Sequence, residues 1–406
     1  MPLALLALAI GAFGIGTTEF AVMGLLPDMA AGFGISIPLA GYATTLYALG
    51  VVVGAPLMTA LGTRFTRKQM LMLLMGLFIA GNLLTAVAPT FGLLLAGRIV
   101  AAFTHGAFFG IGALVAADLV APQKRATAIS LMFSGLTIAN VVGVPVGTLL
   151  SQHFDWRTTF YAITTLGVIG LLGIVKLIPA QRAKAATSIG SELAVFRNPQ
   201  VGLAMLMTIL GFGGVFAAVT YLASMMTEVT GFAPSSVIWL TAVFGLGMVG
   251  GNLVSGRFTD RAMMPMLFVS MTGLALSLAA FTFTAHSKIA AILTIALIGI
   301  FGFATVPPLQ KRVMDQAASA PTLASAGNIA AFNFGNALAA WLGGLVISAG
   351  LGYTAPNWVG ALMTAAALGV AILATALERR EKGRDQVAAA GGPAAPADEP
   401  VPASRS

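Results

Sequence analysis

The chain has 406 residues, of which 58% are apolar and 8% charged, with a formal charge of +8 and no cysteine. A soluble domain carries about a quarter charged residues, so this composition excludes one and marks an integral membrane protein. Lack of cysteine excludes disulfides, thiolate metal sites and cysteine nucleophiles, and basic residues in short clusters between apolar runs fit membrane topology rather than nucleic acid.

A bilayer core about 30 Å thick needs about 20 apolar residues of helix to cross it. Runs of that length fall near 3–26, 38–61, 69–88, 91–116, 127–150, 158–178, 200–225, 235–256, 264–285, 288–310, 323–349 and 356–377. The first begins at Leu3 with no Lys or Arg before it, so it lacks the basic lead of a cleaved signal peptide and reads as a span. Twelve spans place both termini on one side. The connections after spans two, four, six, eight and ten hold thirteen basic residues, among them Arg64, Arg67, Lys68, Arg261 and Arg312, whereas the opposite connections hold two, Arg157 and Lys288. That bias predicts cytoplasmic termini and a cytoplasmic 179–199 connection. The stretch 378–406, rich in charge, Ala and Pro, reads as a disordered cytoplasmic tail.

Span four, LLLAGRIVAAFTHGAFFGIGALVAA from Leu93 to Ala117, carries Arg98 and His105. A cation at mid-bilayer costs at least ~2.5 kcal/mol, so it must face protein or water. Seven residues are about two helical turns, which puts both side chains on one face. Glu19 in span one is the only carboxylate well inside an apolar run. Spans one and four run in opposite directions, so Glu19 and Arg98 fall at comparable depth and are expected to pair, a carboxylate satisfying part of the guanidinium fork. Burial favours the neutral acid and a guanidinium favours the ion, so changing their separation would switch proton affinity. His105 either relays protons or hydrogen-bonds substrate, or merely bonds a neighbouring helix. A purely structural Glu19–Arg98 pair is the bland alternative.

The chain repeats itself. Gly50, Gly54 and Arg64 recur 197 residues later as Gly247, Gly251 and Arg261, and Asn140 in span five is echoed by Asn336 in span eleven. Six spans repeated in parallel is the arrangement of two bundles that rock around a central site. The predicted fold is an all-α membrane protein of twelve transmembrane helices in two pseudo-twofold bundles, 1–178 and 200–377.

These residues resemble the major facilitator superfamily. Gly256-Arg-Phe-Thr-Asp260-Arg261 is similar to its G-x-x-x-D-R loop signature, degraded in the first half, where Thr59 and Thr63 replace Gly and Asp and leave Arg64, Arg67 and Lys68. Leu95-Ala-Gly-Arg98 through His105-Gly106 resembles the span-four Arg motif of drug:proton antiporters, and Gly143-Val-Pro145-Val-Gly147 the span-five antiporter motif. TTEF at 17–20, MGLLPDMA at 23–30, HGAFFG at 105–110, DWRTTF at 155–160 and VPPLQ to NIAAFNFGNALAA at 306–340 resemble the AraJ-like branch of sugar and drug efflux permeases. The resemblance implies a monomeric, proton-coupled exporter of a small organic compound in a bacterial inner membrane, working by alternating access without a cofactor. It also implies which spans face the cavity, making Tyr47, Asn140, Gln310, Asn328, Asn333 and Asn336 candidate substrate contacts, with polar contacts between helices as the alternative. Phe108, Phe109, Phe212, Phe216, Phe332 and Phe334 could line an apolar pocket or simply pack. Gly143, Pro145 and Gly147 allow close approach and a bend. Arg64, Arg67 and Lys68, with Asp260 and Arg261, are expected to gate the inner side, ordinary topogenic charge being the alternative.

The sequence offers no P-loop, no metal-ligand spacing among its three histidines and no nucleophile triad, so it does not read as an enzyme. Uptake of a sugar or nucleoside, and a non-transporting receptor, are the competing functions.

Overall fold

A computed structural model describes residues 3–62, 64–121, 124–179, 194–317 and 321–390. Most of the predicted 179–199 connection and all of 391–406 lie outside the described residues. The described chain is helical throughout. We number the crossings α1 Leu3–Phe20, α2 Ile37–Gly62, α3 Arg67–Val87, α4 Phe91–Asp118, α5 Thr127–His153, α6 Trp156–Leu177, α7 Pro199–Val219, α10 Lys288–Gln316, α11 Leu323–Ser348 and α12 Ala355–Arg380. The 51-residue run Pro234–Thr284 is about 77 Å of helix at 1.5 Å per residue, more than twice a bilayer core. Ala262, at φ −149° and ψ 64°, breaks it into α8 and α9. Twelve crossings result.

Local chemistry fixes the ends. Thr66 and Gln69 form a reciprocal capping box before α3, and Thr90, Asp155 and Asn198 cap α4, α6 and α7 through their side chains. Among the described residues, those with positive φ are Gly34, Gly231, Gly350 and Gly352. All lie in connections on the side opposite the termini, here the far face, where tight reversals need a left-handed residue. The termini lie on the terminal face.

Four crossings are interrupted: α1 ends before Ala21 and resumes as Val22–Phe33, α7 ends before Thr220–Tyr221 and resumes as Leu222–Glu228, α4 breaks at Phe103–Thr104 and α10 at Thr305. These are pseudo-equivalent positions in the two bundles. At the two second-half breaks a threonine back-bonds, Thr220 Oγ1 donating to the Phe216 carbonyl and Thr305 Oγ1 to that of Gly302, both at 2.6 Å. Such back-bonding competes with the helical ladder and bends it. Past its break α1 resumes as Val22–Phe33, so the helical run extends beyond the expected end near 26 and closes on Gly34.

Two buried apolar clusters follow the two bundles. Phe20, Met23 and Val144 of the first half belong to the second half's cluster, and Tyr221 of the second half belongs to the first's. These crossovers all sit between mid-depth and the far face. Gln152 Nε2 donates to the Pro234 carbonyl at 2.6 Å there, the one side-chain hydrogen bond between halves among the described residues. The seam is therefore shut toward the far face.

At the terminal face α12 continues as helix to Ala390, so 378–390 is not the disordered start of a tail. Glu, Arg and Lys favour helix, and Glu378 is held. It accepts from Arg312 at 2.8 Å and from Gln316 at 2.5 Å. Arg312, counted above among topogenic charges, is only 2% exposed and lies inside α10.

Candidate functional site at the seam of the two bundles

Arg98 is completely buried. Its Nε donates to the Ala43 carbonyl at 3.2 Å, and one terminal nitrogen donates to the carbonyl and hydroxyl of Thr18 at 2.8 and 3.0 Å. The guanidinium lies 4.2 Å from the centre of the Tyr47 ring. Thr18 in turn donates to Asn82 Oδ1 at 2.5 Å. One side chain thus ties α4 to α1, α2 and α3, while its second terminal nitrogen has no partner. The expected ion pair with Glu19 is not formed: Arg98 bonds the residue before it. Successive helical residues point about 100° apart, so the rotation of α1 that presents Thr18 to Arg98 turns Glu19 away from that guanidinium.

Glu19 instead faces His105. Its Oε2 lies 3.8 Å from His105 Nδ1, too long for a hydrogen bond, and the same Nδ1 lies 3.3 Å from the Tyr47 hydroxyl. Glu19 and His105 are each 7% exposed and Tyr47 2%. Arg98 and His105 do share a face, as their spacing predicted, with Tyr47 spanning the gap between them. Four ionisable side chains from α1, α2 and α4 therefore form one buried cluster, all of it in the first half.

Across the seam the second half presents aromatics. Phe20, adjacent to Glu19, packs on Phe216 and Phe303 with ring centres 5.7 and 6.4 Å apart, and Phe212 packs on Phe216, Phe303 and Phe332 at 5.9, 5.3 and 5.0 Å. Of the predicted aromatics Phe216 meets the acid's neighbour directly, and Phe212 and Phe332 continue the same wall behind it. Phe20 and Phe303 were missed, because nothing local distinguishes them from other phenylalanines. Phe109 lies 5.3 Å from the His105 ring. Phe108 is core, fully buried against α1 at Gly11, and Phe334 is 42% exposed on the outer surface of α11.

The polar candidates divide. Asn140 and Asn333 donate to carbonyls of their own helices, Leu136 and Ile329, both at 3.0 Å. Asn328 donates to Gln310 at 2.8 Å, which donates to Ser325 at 2.7 Å, a network joining α10 to α11. Oδ1 of Asn328, Asn333 and Asn336 is buried without a partner in each case.

Asn140 lies in a π-helical turn, Ala139–Gly143, leading into Pro145 and Gly147. Here α5 crosses α8 so closely that a Cβ on Gly245 would lie 2.5 Å from the Asn140 carbonyl oxygen. Gly143 faces Phe13 and Thr17 of α1, and Gly147 faces Thr159 of α6.

The terminal-face charges do not meet across the seam. Arg67 pairs with Asp118, and Lys68 donates to the Val175 carbonyl at 2.7 Å, both within the first bundle. Arg64, Asp260 and Arg261 are exposed and Gly256 half-buried. No ion pair joins the halves among the described residues, so the expected interbundle gate is absent with the seam closed at the other face.

Twelve crossings in two pseudo-twofold bundles, broken centrally and enclosing a buried ionisable cluster at their seam, define a secondary transporter fold. The chain belongs to the Major Facilitator Superfamily, whose family model matches residues 8–330 and 204–403. It is 46% identical over 350 residues to the inner membrane transport protein YdhP of Escherichia coli O157:H7, covering 86% of this chain and 90% of the relative. AraJ of Escherichia coli K12 is 36% identical over 351 residues (86% and 89%). A chloramphenicol resistance protein of Streptomyces lividans is 36% identical over 377 residues (92% and 95%). A crystal structure of a D-xylose–proton symporter superposes with a TM-score of 0.71 at 16% identity, covering 91% of this chain and 96% of that one. The chain is thus a multi-pass membrane transporter of the inner-membrane kind, in a family of transporters rather than enzymes.

Proposed function

We propose that this transporter exports a small organic compound in exchange for protons, by alternating access at the seam. The observation that carries the reading is Glu19, among the described residues the one carboxylate buried within a span, set 3.8 Å from His105 and beside the aromatic wall of the opposite bundle. Protons bind at Glu19 and His105, and Tyr47 orients the imidazole. Arg98 is a positioning residue: it fixes α1, α2 and α4 around the acid. The Phe20–Phe212–Phe216–Phe303–Phe332 wall receives the apolar part of the compound, and the unpartnered carbonyls of Asn333 and Asn336 receive its donors.

Export rather than uptake is supported by Gly143-Val-Pro145-Val-Gly147, and by a relative of nearly full coverage named for chloramphenicol resistance. The charge bias of the connections makes the terminal face cytoplasmic. The far-face seal then corresponds to an inward-facing state, ready to load from the cytoplasm. The transporter works as a monomer.

The test uses proteoliposomes and chloramphenicol. Glu19→Gln is expected to abolish accumulation driven by a pH gradient while leaving exchange of labelled for unlabelled compound intact. Gradient-driven transport at the wild-type rate would remove Glu19 from the scheme.

A further inference from the structure

A cavity lies at the far face, and neither Glu19 nor His105 lines it. It is a crevice of about 300 Å³ where α2 meets α11, floored by Tyr221. Its mouth carries two aromatics, Tyr42 at 37% and Trp341 at 40% exposure. Ser36, Thr45 and Ser348, each with a hydroxyl, also line it. Nothing charged lines it.

Those hydroxyls are poorly used by the protein. Ser36 Oγ accepts from Leu39 N at 3.4 Å and Thr45 Oγ1 donates to the Gly41 carbonyl at 3.4 Å, both at the limit of a hydrogen bond. The Tyr221 hydroxyl donates to the Ala340 carbonyl at 2.8 Å, leaving its lone pairs to accept. Gly41 and Gly344 pack directly on that oxygen, since a Cβ on either would lie within 2.6 Å of it, so their lack of a side chain is what admits the phenol to the floor of the crevice. Lack of charge argues against an ionic ligand, and the volume sits at the lower end for small-molecule sites, about 300–1,000 Å³. Aromatic faces cover the C–H face of a saturated ring while hydroxyls exchange hydrogen bonds with its rim.

We propose that this crevice binds a neutral, polyhydroxylated six-membered ring. Its walls come from both bundles, Ser36 to Thr45 from the first and Tyr221 with Ala340 to Ser348 from the second. The complete site exists only while the far face is shut, so a bound ring holds that state against opening. A ligand shifts such an equilibrium by its differential affinity for the two states. This second step rests on the alternating-access reading; the binding itself does not. The ring is either a free sugar or the headgroup of a glycolipid.

The cysteine-free chain makes the test clean. Thr45→Cys places one thiol in the crevice, and Ser287→Cys one elsewhere on the far face. In nanodiscs free of glycolipid, methyl β-glucoside is expected to slow maleimide labelling of Thr45→Cys severalfold and leave Ser287→Cys unchanged. Protection by octyl glucoside below its micellar concentration, but not by the methyl glycoside, assigns the site to a headgroup. Protection by neither overturns the proposal. Spin labels on the exposed far-face positions Phe154→Cys and Leu351→Cys, one per bundle, read the second step. A protecting ring is expected to shift their distances toward the shorter population, and an unchanged distribution overturns the holding role without touching the assignment of the transporter.

Discussion

Arg98 and Glu19 are both buried ionisable side chains, yet the structure gives them different work. Arg98 spends its donors on Thr18 and Ala43 and stacks on Tyr47. Removing this buried, hydrogen-bonded charge leaves the Thr18 and Ala43 acceptors unmet. Arg98→Ala is therefore expected to cost about 3 kcal/mol, seen as a lower unfolding midpoint in detergent. Arg98→Lys recovers little of this, because an ammonium cannot reproduce the planar fork. Glu19 has no hydrogen-bonded partner, so Glu19→Gln is expected to change stability by no more than about 1 kcal/mol. A Glu19→Gln protein as unstable as Arg98→Ala would make the acid structural and weaken its proposed proton role. That an acid and a guanidinium lie buried in the first bundle was legible from their apolar context. Their failure to pair was not, since it turns on the rotation of α1 about its axis.

At the scale of elements, α8 shows how finely packing distinguishes identical residues. Gly245 lies against the backbone of Asn140, whereas Gly250, five residues on, has open space where a Cβ would be. Gly245→Ala is expected to force α5 and α8 apart and weaken the closed seam, read as faster thiol labelling of Val144→Cys. Gly250→Ala is expected to stabilise by about 0.5–1 kcal/mol, the ordinary gain of replacing a helical glycine. The crossing of α5 and α8 falls on the π-helical turn at Ala139–Gly143. The small residues and Pro145 announced close approach and a bend there. The π turn itself was hidden, because it answers to the neighbouring helix.

For the whole molecule, the two bundles are closed differently on their terminal faces. The first uses Arg67 with Asp118, and the second uses Arg312 with Glu378, which pulls the end of α12 onto α10. A chain ending before Glu378 strands the guanidinium of Arg312, 2% exposed, and is expected to lose about 2–4 kcal/mol. A chain ending after Ala390 keeps the pair and should unfold at the wild-type midpoint. Equal midpoints for both truncations would show that the pair contributes nothing to the second bundle.

The sequence by itself determined the membrane class, the twelve crossings, the doubling of six and the burial of Glu19, Arg98 and His105. Each of these follows from composition or periodicity, and the cost of hydrocarbon contact for polar groups acts on every residue independently of its neighbours. Only the tertiary structure decided that Glu19 faces His105, that Phe20 and Phe303 join the aromatic wall, that Arg312 is a buried partner of Glu378, and that the far face is the closed one. Those are relations between helices distant in sequence. They depend on helix rotation, on local breaks at Ala21 and Thr305, and on which of two bundle arrangements packs, none of which is encoded in a single apolar run.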